Sequence, residues 1–179
     1  MTMTAVEHRE RGVALIELIV VAGLTGIVAV ISAFTLINTL RSQDQVVGAT
    51  KTATRGRAFT TALEQAVRGA SWIKVVDPRT VTLRVGSGAS SACKTFAVGT
   101  VSGRDELQLT AGGTTANLTS ESDVWVAPIG SANYFAPLPA SGTTTGVRYS
   151  LSMRSTKGAT DLVSSVYRRA SGGAGVACP

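Results

Sequence analysis

Histidine is nearly missing from this 179-residue chain: His8 is the only one, and the only cysteines are Cys93 and Cys178. A His-based catalytic triad or a His/Cys zinc cage therefore has almost no raw material. Charge is scarce too, with Asp, Glu, Lys and Arg at 16% and aromatic residues at 5%. A chain that is 44% hydrophobic is not a disordered polar tail. Its few aromatics do not make a stacking platform for single-stranded nucleic acid. Neither a P-loop nor a Gly-x-Ser-x-Gly sequence occurs, which removes the phosphate cradle and the nucleophile elbow. The acidic clusters are Asp105-Glu106 and Glu121 with Asp123. Adjacent strand residues point to opposite faces, so Asp105 and Glu106 are not expected to converge as an acid/base pair. Either cluster offers oxygens to calcium, but EF-hand spacing is absent, and solvated acids are the expected reading. The expectation is a protein that is not an enzyme and needs no cofactor or metal.

What the chain does have is a long apolar run. Leu18 to Ile37 is twenty residues without a formal charge, and the next charge downstream is Arg41. Roughly 20 such residues, at about 1.5 Å rise each, match a hydrocarbon core about 30 Å thick. Arg9 and Arg11 precede it, which favours a cytoplasmic N-terminus and an exported C-terminal bulk. Three readings compete for this run. A cleaved secretory signal has a shorter apolar core and a small-residue cleavage site, for which Ser32-Ala33 is a weak candidate. A plain signal anchor fits the length but leaves Glu17 unexplained at the mouth of the span, where an acid is more often functional than incidental.

The third reading includes Gly12. Arg11 to Val21, RGVALIELIVV, resembles the processing motif of type IV prepilins and type II secretion pseudopilins. The resemblance implies that residues 1–12 are a leader cut by a membrane peptidase between Gly12 and Val13. It also implies that the new N-terminus at Val13 is N-methylated, and that Glu17 guides assembly. Val13 is a departure, since the family most often has Phe or Met there. No proline interrupts residues 13–40, which within the family implies a minor pilin or pseudopilin. The spacing has its own physical sense: residues four apart share a helix face, so Val13 and Glu17 point the same way. In a staggered stack, Glu17 of one subunit meets the ammonium of its neighbour. An unpaired carboxylate in apolar surroundings costs several kcal/mol or takes up a proton, so the pair rewards one register. Gly23 and Gly26 serve either close helix packing or nothing specific.

Beyond the span, residues 41–76 are expected to continue the helix into the exported domain. Phe59, Leu63, Ala66, Val67 and Ala70 form a stripe at helical spacing. Gly48 and Gly56 suggest a bend, and Asp77-Pro78 is the expected stop. Residues 77–179 change to a period of two, beginning with Thr80 to Val85. Further strands are expected at Thr95–Val98, Glu106–Thr110, Val124–Ala127, Val147–Met153 and Leu162–Tyr167. A long helix followed by five or six strands is an α+β fold, an antiparallel sheet on a helix; this order is similar to the larger minor pilins and pseudopilins. In an exported domain, Cys93 and Cys178 are expected to pair, which in the chain-entropy model stabilises on the order of 4–5 kcal/mol; two unpaired buried thiols are the alternative.

Arg41, Lys51, Arg55, Arg57, Arg68 and Lys74 face only Asp44 and Glu64 between residues 38 and 76. A solvated helix face is the commonest reason for such charge; acidic lipid, neighbouring subunits and DNA are the other partners, DNA the weakest of them. The expectation is a structural subunit of a pilus-like filament or a secretion or competence pseudopilus. Other pilin subunits, the prepilin peptidase and the assembly platform with its ATPase are the implied partners, and membrane lipid surrounds the helix beforehand. The chain is expected in the cytoplasmic membrane as a single-pass protein, then in a filament at the cell surface or in the periplasm. The alternative is a membrane-anchored surface module that binds a ligand and does not polymerise.

Overall fold

The computed structural model describes residues 5–86, 88–119, 123–130, 133–169 and 176–178, with side chains from Leu15 onward except Ala89. The fold is α+β, one long N-terminal helix packed against a curled antiparallel sheet. Two compact units divide between Asp44 and Gln45.

In the first unit, every described side chain from Leu15 to Asp44 is exposed. The uncharged run is helical throughout, as part of α1, Ala5–Arg68. Its hydroxyl residues do not break it, because each donates back to the carbonyl four residues earlier. Thr25 bonds Val21, Ser32 bonds Val28, Thr35 bonds Ile31 and Thr39 bonds Thr35, all at 2.8–2.9 Å. A hydroxyl satisfied within its own helix can sit in apolar surroundings without an orphaned donor.

In the second unit, α1 runs on to Arg68 and stops eight residues short of the expected end at residue 76. Gly69 donates to the Gln65 carbonyl at 3.0 Å, and the chain then enters a strand, β1 (Ala70–Asp77). The reason is local chemistry: Trp72, Ile73, Val75 and Val76 are aromatic or β-branched and prefer a pleated surface. A partner also exists for them, since β2 (Thr80–Val85) pairs Ile73 with Leu83 and Val75 with Val81 across the Asp77-Pro78 turn. Proline does end an element there, but the element is a strand.

Seven more strands follow: β3 (Ala92–Val101), β4 (Arg104–Ala111), β5 (Thr114–Asn117), β6 (Trp125–Pro128), β7 (Phe135–Leu138), β8 (Gly146–Ser155) and β9 (Gly158–Tyr167). All pairings are antiparallel, in the order β1-β2-β3-β4-β6-β8-β7, with β5 added to β4 and β9 to β8. Two-residue turns close the β3–β4 and β4–β5 hairpins at Ser102-Gly103 (φ 50° and 77°) and Gly112-Gly113 (φ 58° and 81°). Both central residues have positive φ, the geometry that matches strand twist and that glycine adopts cheaply.

The alternation in each strand decides what goes inside. Val81 and Leu83 of β2, Phe96 and Val98 of β3, Leu107 of β4, Val126 of β6, and Val147, Tyr149, Leu151 and Met153 of β8 are buried. Against them lie Phe59, Leu63, Ala66 and Val67 of α1, four of the five residues in the expected helical stripe. The fifth, Ala70, is also buried, but from β1. On the opposite, outer face the register aligns Thr82, Thr95, Thr110 and Thr115 from β2 to β5 in one row. Their hydroxyls pair at 3.2 Å (Thr82–Thr95) and 2.8 Å (Thr110–Thr115).

Gly48 and Gly56 do not interrupt the helix, which is continuous through both. They let the β8–β9 hairpin approach it. A Cβ at Gly48 would lie 2.7 Å from the Cβ of Lys157, and one at Gly56 would lie 3.1 Å from a methyl of Leu162. Between them, Thr52 is fully buried and shares a 3.0 Å hydrogen bond with Thr160. Gly48→Val is therefore expected to destabilise this unit by about 1–3 kcal/mol through overpacking. Gly48→Ala is expected to cost less, and thermal unfolding of the two variants beside wild type checks the order.

Candidate functional site

Glu17 is exposed on α1 and, with Leu18, Val21 and Ala22, lines a shallow open depression. Among residues whose side chains are described, it has no ion-pair partner. Around it is a surface that water does not tolerate: Leu18 is 70% exposed, Ile16 64% and Phe34 65%. A soluble monomer rarely exposes so long an apolar surface, and one such helix is long and apolar enough to cross a membrane. Gly23 and Gly26 have open space around them, with no atom within 4 Å of an added Cβ. The peptide bond between Gly12 and Val13 lies within α1, and the side chains of His8 and Val13 fall outside the described ones.

The two cysteines are joined. Cys93 and Cys178 form a disulfide with Cα atoms 5.9 Å apart across 85 residues of sequence. Arg84 of β2 reinforces this attachment of the C-terminal end. Its Nη1 donates to the carbonyls of Val176 (3.0 Å) and Ala177 (3.3 Å), and its Nε donates to Ser91 Oγ at 2.8 Å.

Asp105 and Glu106 point apart. Asp105 is drawn into a structural network instead: Arg79 Nη2 (2.6 Å) and Thr100 Oγ1 (2.7 Å) donate to Oδ1, and the Tyr134 hydroxyl donates to Oδ2 at 2.6 Å. Arg79 also donates from Nε to the Val98 carbonyl at 3.0 Å and places its guanidinium 5.5 Å from the Tyr134 ring centre. One carboxylate thus ties the β1–β2 turn, the β3–β4 hairpin and the start of β7. Burial alone opposes its ionisation most strongly, but the hydrogen bonds from Thr100, Tyr134 and Arg79, with the charge of Arg79, outweigh it and hold the carboxyl below its ordinary value. Burial, followed by the neighbouring carboxylate, pushes the Tyr134 hydroxyl well up. Burial also raises Tyr149, which donates to Glu64 Oε1 at 3.2 Å.

The stability consequence has a definite sign. A carboxyl whose folded pKa is depressed stabilises the fold above its unfolded pKa of about 4, and that stabilisation is lost as pH falls through the folded value. Asp105→Asn is expected to lower stability at pH 7 and to flatten the decline below about pH 4. Denaturant unfolding at pH 7, 4 and 3 checks both parts.

Glu106 leaves one oxygen, Oε2, buried and without a hydrogen-bond partner among the described residues. Glu121, of the other expected acidic cluster with Asp123, lies outside the described residues. Among the described residues, no group of three His, Cys, Asp or Glu side chains is placed to hold a metal ion. From the sequence Asp105 reads as a solvated acid, with calcium binding and acid/base work as the other candidates, and the network is none of these. Its partners, 26 and 29 residues away, carry no local signal that links them. Comparison with known proteins found no matching family model, curated protein or solved structure.

Proposed function

We propose that this chain is a structural subunit of the type IV pilin and pseudopilin kind, processed between Gly12 and Val13 and assembled through its apolar helix. The observation that carries the reading is the order of Arg11, Gly12, Val13 and Glu17 directly before twenty uncharged residues. A helix with its apolar residues exposed on all sides supports it, because such a helix needs lipid before assembly and other helices after it. The disulfide suits an oxidising compartment outside the cytoplasm. No catalysis by this chain is part of the proposal; assembly is driven by partners.

An N-terminal mass measurement on protein extracted from membranes tests it. A chain beginning at N-methylated Val13 is the expected result. A chain that keeps Met1 to Gly12 supports instead the membrane-anchored surface module, and one beginning beyond Ser32 supports a secreted soluble domain.

A further inference from the structure

The last strand of the sheet leaves one of its edges unused. Among the described residues β9 pairs only with β8, over ten residues in unbroken register. Neighbouring bonds fix the phase of that pairing. Ser150 of β8 donates its N–H to the Tyr134 carbonyl, on the β7 side and away from β9. Val163, opposite Ser150, therefore turns its own N–H and C=O away from β8. The same holds at every second residue, so Ala159, Asp161, Val163, Ser165 and Tyr167 present donors and acceptors along the free edge. Their side chains are exposed, Val163 at 64% and Tyr167 at 58%. Proteins usually blunt such an edge with proline, a bulge, a short strand or several charges. β9 has no proline and no bulge, and Asp161 is its only charge.

We infer that β9 is the pairing edge for a second copy of this chain, strand antiparallel to strand about a two-fold axis through Val163. A row of unpaired N–H and C=O groups calls for an extended backbone, and the length of the row selects which one. β5 is the other open edge but has four residues, and β1 lies against β7 and has two register irregularities. A second β9 matches the first along its whole length. With the axis at Val163, Asp161 stands opposite the partner subunit's Ser165, and Ala159 opposite the partner subunit's Tyr167. Every outward residue is then paired, through about ten backbone hydrogen bonds. Two valines meet on the axis, and no like charges face each other. Moving the axis to Asp161 sets two carboxylates against each other. Moving it to Ser165 calls on Arg169, whose N–H already donates to the Arg68 carbonyl at 3.3 Å. β9 runs in the same direction as the α1 residues beside it, since Thr160 meets Thr52 and Leu162 meets Gly56. The pair therefore sets residues 45–68 of the two copies antiparallel, so for any one copy it is an alternative to helices stacked in one direction. Two copies in one membrane meet this way with the two-fold axis along its normal.

The test uses the full-length chain with micelles in excess, so that each span occupies its own micelle, and follows dimerisation by sedimentation over a dilution series. A monomer–dimer equilibrium is expected. Ser165→Asp puts a carboxylate opposite Asp161 of the partner subunit at two places, and is expected to weaken the dimer roughly tenfold. Thr114→Asp, the same kind of change on exposed β5, should weaken it less than twofold. Val163→Cys, oxidised with copper phenanthroline, is expected to cross-link most of the dimer across the axis. Val76→Cys, similarly exposed on β1, should cross-link less than a tenth as much. The inference is overturned by a chain that stays monomeric, by equal effects of the two aspartate variants, or by equal cross-linking of the two cysteine variants. None of these readings requires cleavage after Gly12 or a filament, so this edge and the assembly proposal fail separately.

Discussion

Phe59→Ala is expected to destabilise the sheet domain by about 3–5 kcal/mol. Phe59 is 1% exposed and sits where the helix meets two separate parts of the sheet. Its ring is edge-to-face with Phe96 of β3 (6.1 Å, 78°) and with Tyr149 of β8 (6.2 Å, 83°). Truncation loses the transfer energy of the ring and both aromatic contacts, and it leaves a cavity between strands held apart by their own pairing. The neighbours cannot easily collapse: Tyr149 is also tied to Glu64, and Phe96 is flanked in the ladder by Val81 and Leu109. A loss of that size lowers the melting temperature by roughly 10–20 °C. Phe59→Leu, which keeps most of the volume, should lose less than half as much. Equal melting curves for wild type and Phe59→Ala contradict this account of the core.

The contrast between Phe59 and Trp72 shows what local sequence can and cannot reveal. Phe59, Leu63, Ala66 and Val67 repeat at helical spacing over three turns, and a pattern of that length has one economical reading. Ser71 to Val76 is short, follows directly and contains no proline or glycine, so it extends the helical stripe equally well. Only the pairing with β2 makes it a strand, and pairing is a tertiary fact. The same applies to β5 and β7. Thr114–Asn117 is exposed throughout and alternates nothing, while Phe135–Leu138 contains Pro137, which argues against a strand until β8 is seen beside it. The six strands read from the sequence each carry two or more apolar residues on one face. Cys93 and Cys178 were legible because no other pairing within the chain was available. The Arg79–Asp105–Tyr134 network was not, because hydrogen bonds between distant positions leave no periodic trace.

Glu17→Ala is expected to reduce incorporation into filaments by about a hundredfold while leaving cleavage after Gly12 intact. In the proposed processing, cleavage creates the positive charge: before it, Val13 is an internal residue, and afterwards it would carry an ammonium on the same helix face as Glu17. Packing the apolar helices together removes lipid headgroups and water from both. A buried charge whose partner has been deleted costs several kcal/mol, and about 1.4 kcal/mol corresponds to each factor of ten. Even 3 kcal/mol therefore accounts for the expected loss. Glu17→Gln keeps the shape and can accept a hydrogen bond from the ammonium, so it should incorporate better than alanine but well below wild type. Glu17→Asp keeps the charge on a shorter arm and should lie nearest to wild type. That ranking distinguishes charge pairing from simple packing, since packing alone would favour alanine on a helix already rich in small apolar residues. Quantifying each variant in sheared filaments against the membrane pool measures the ratio, and a mass spectrum of the pool verifies processing. Alanine variants recovered in filaments at the wild-type ratio would remove the electrostatic part of the proposal, even with the peptidase site confirmed.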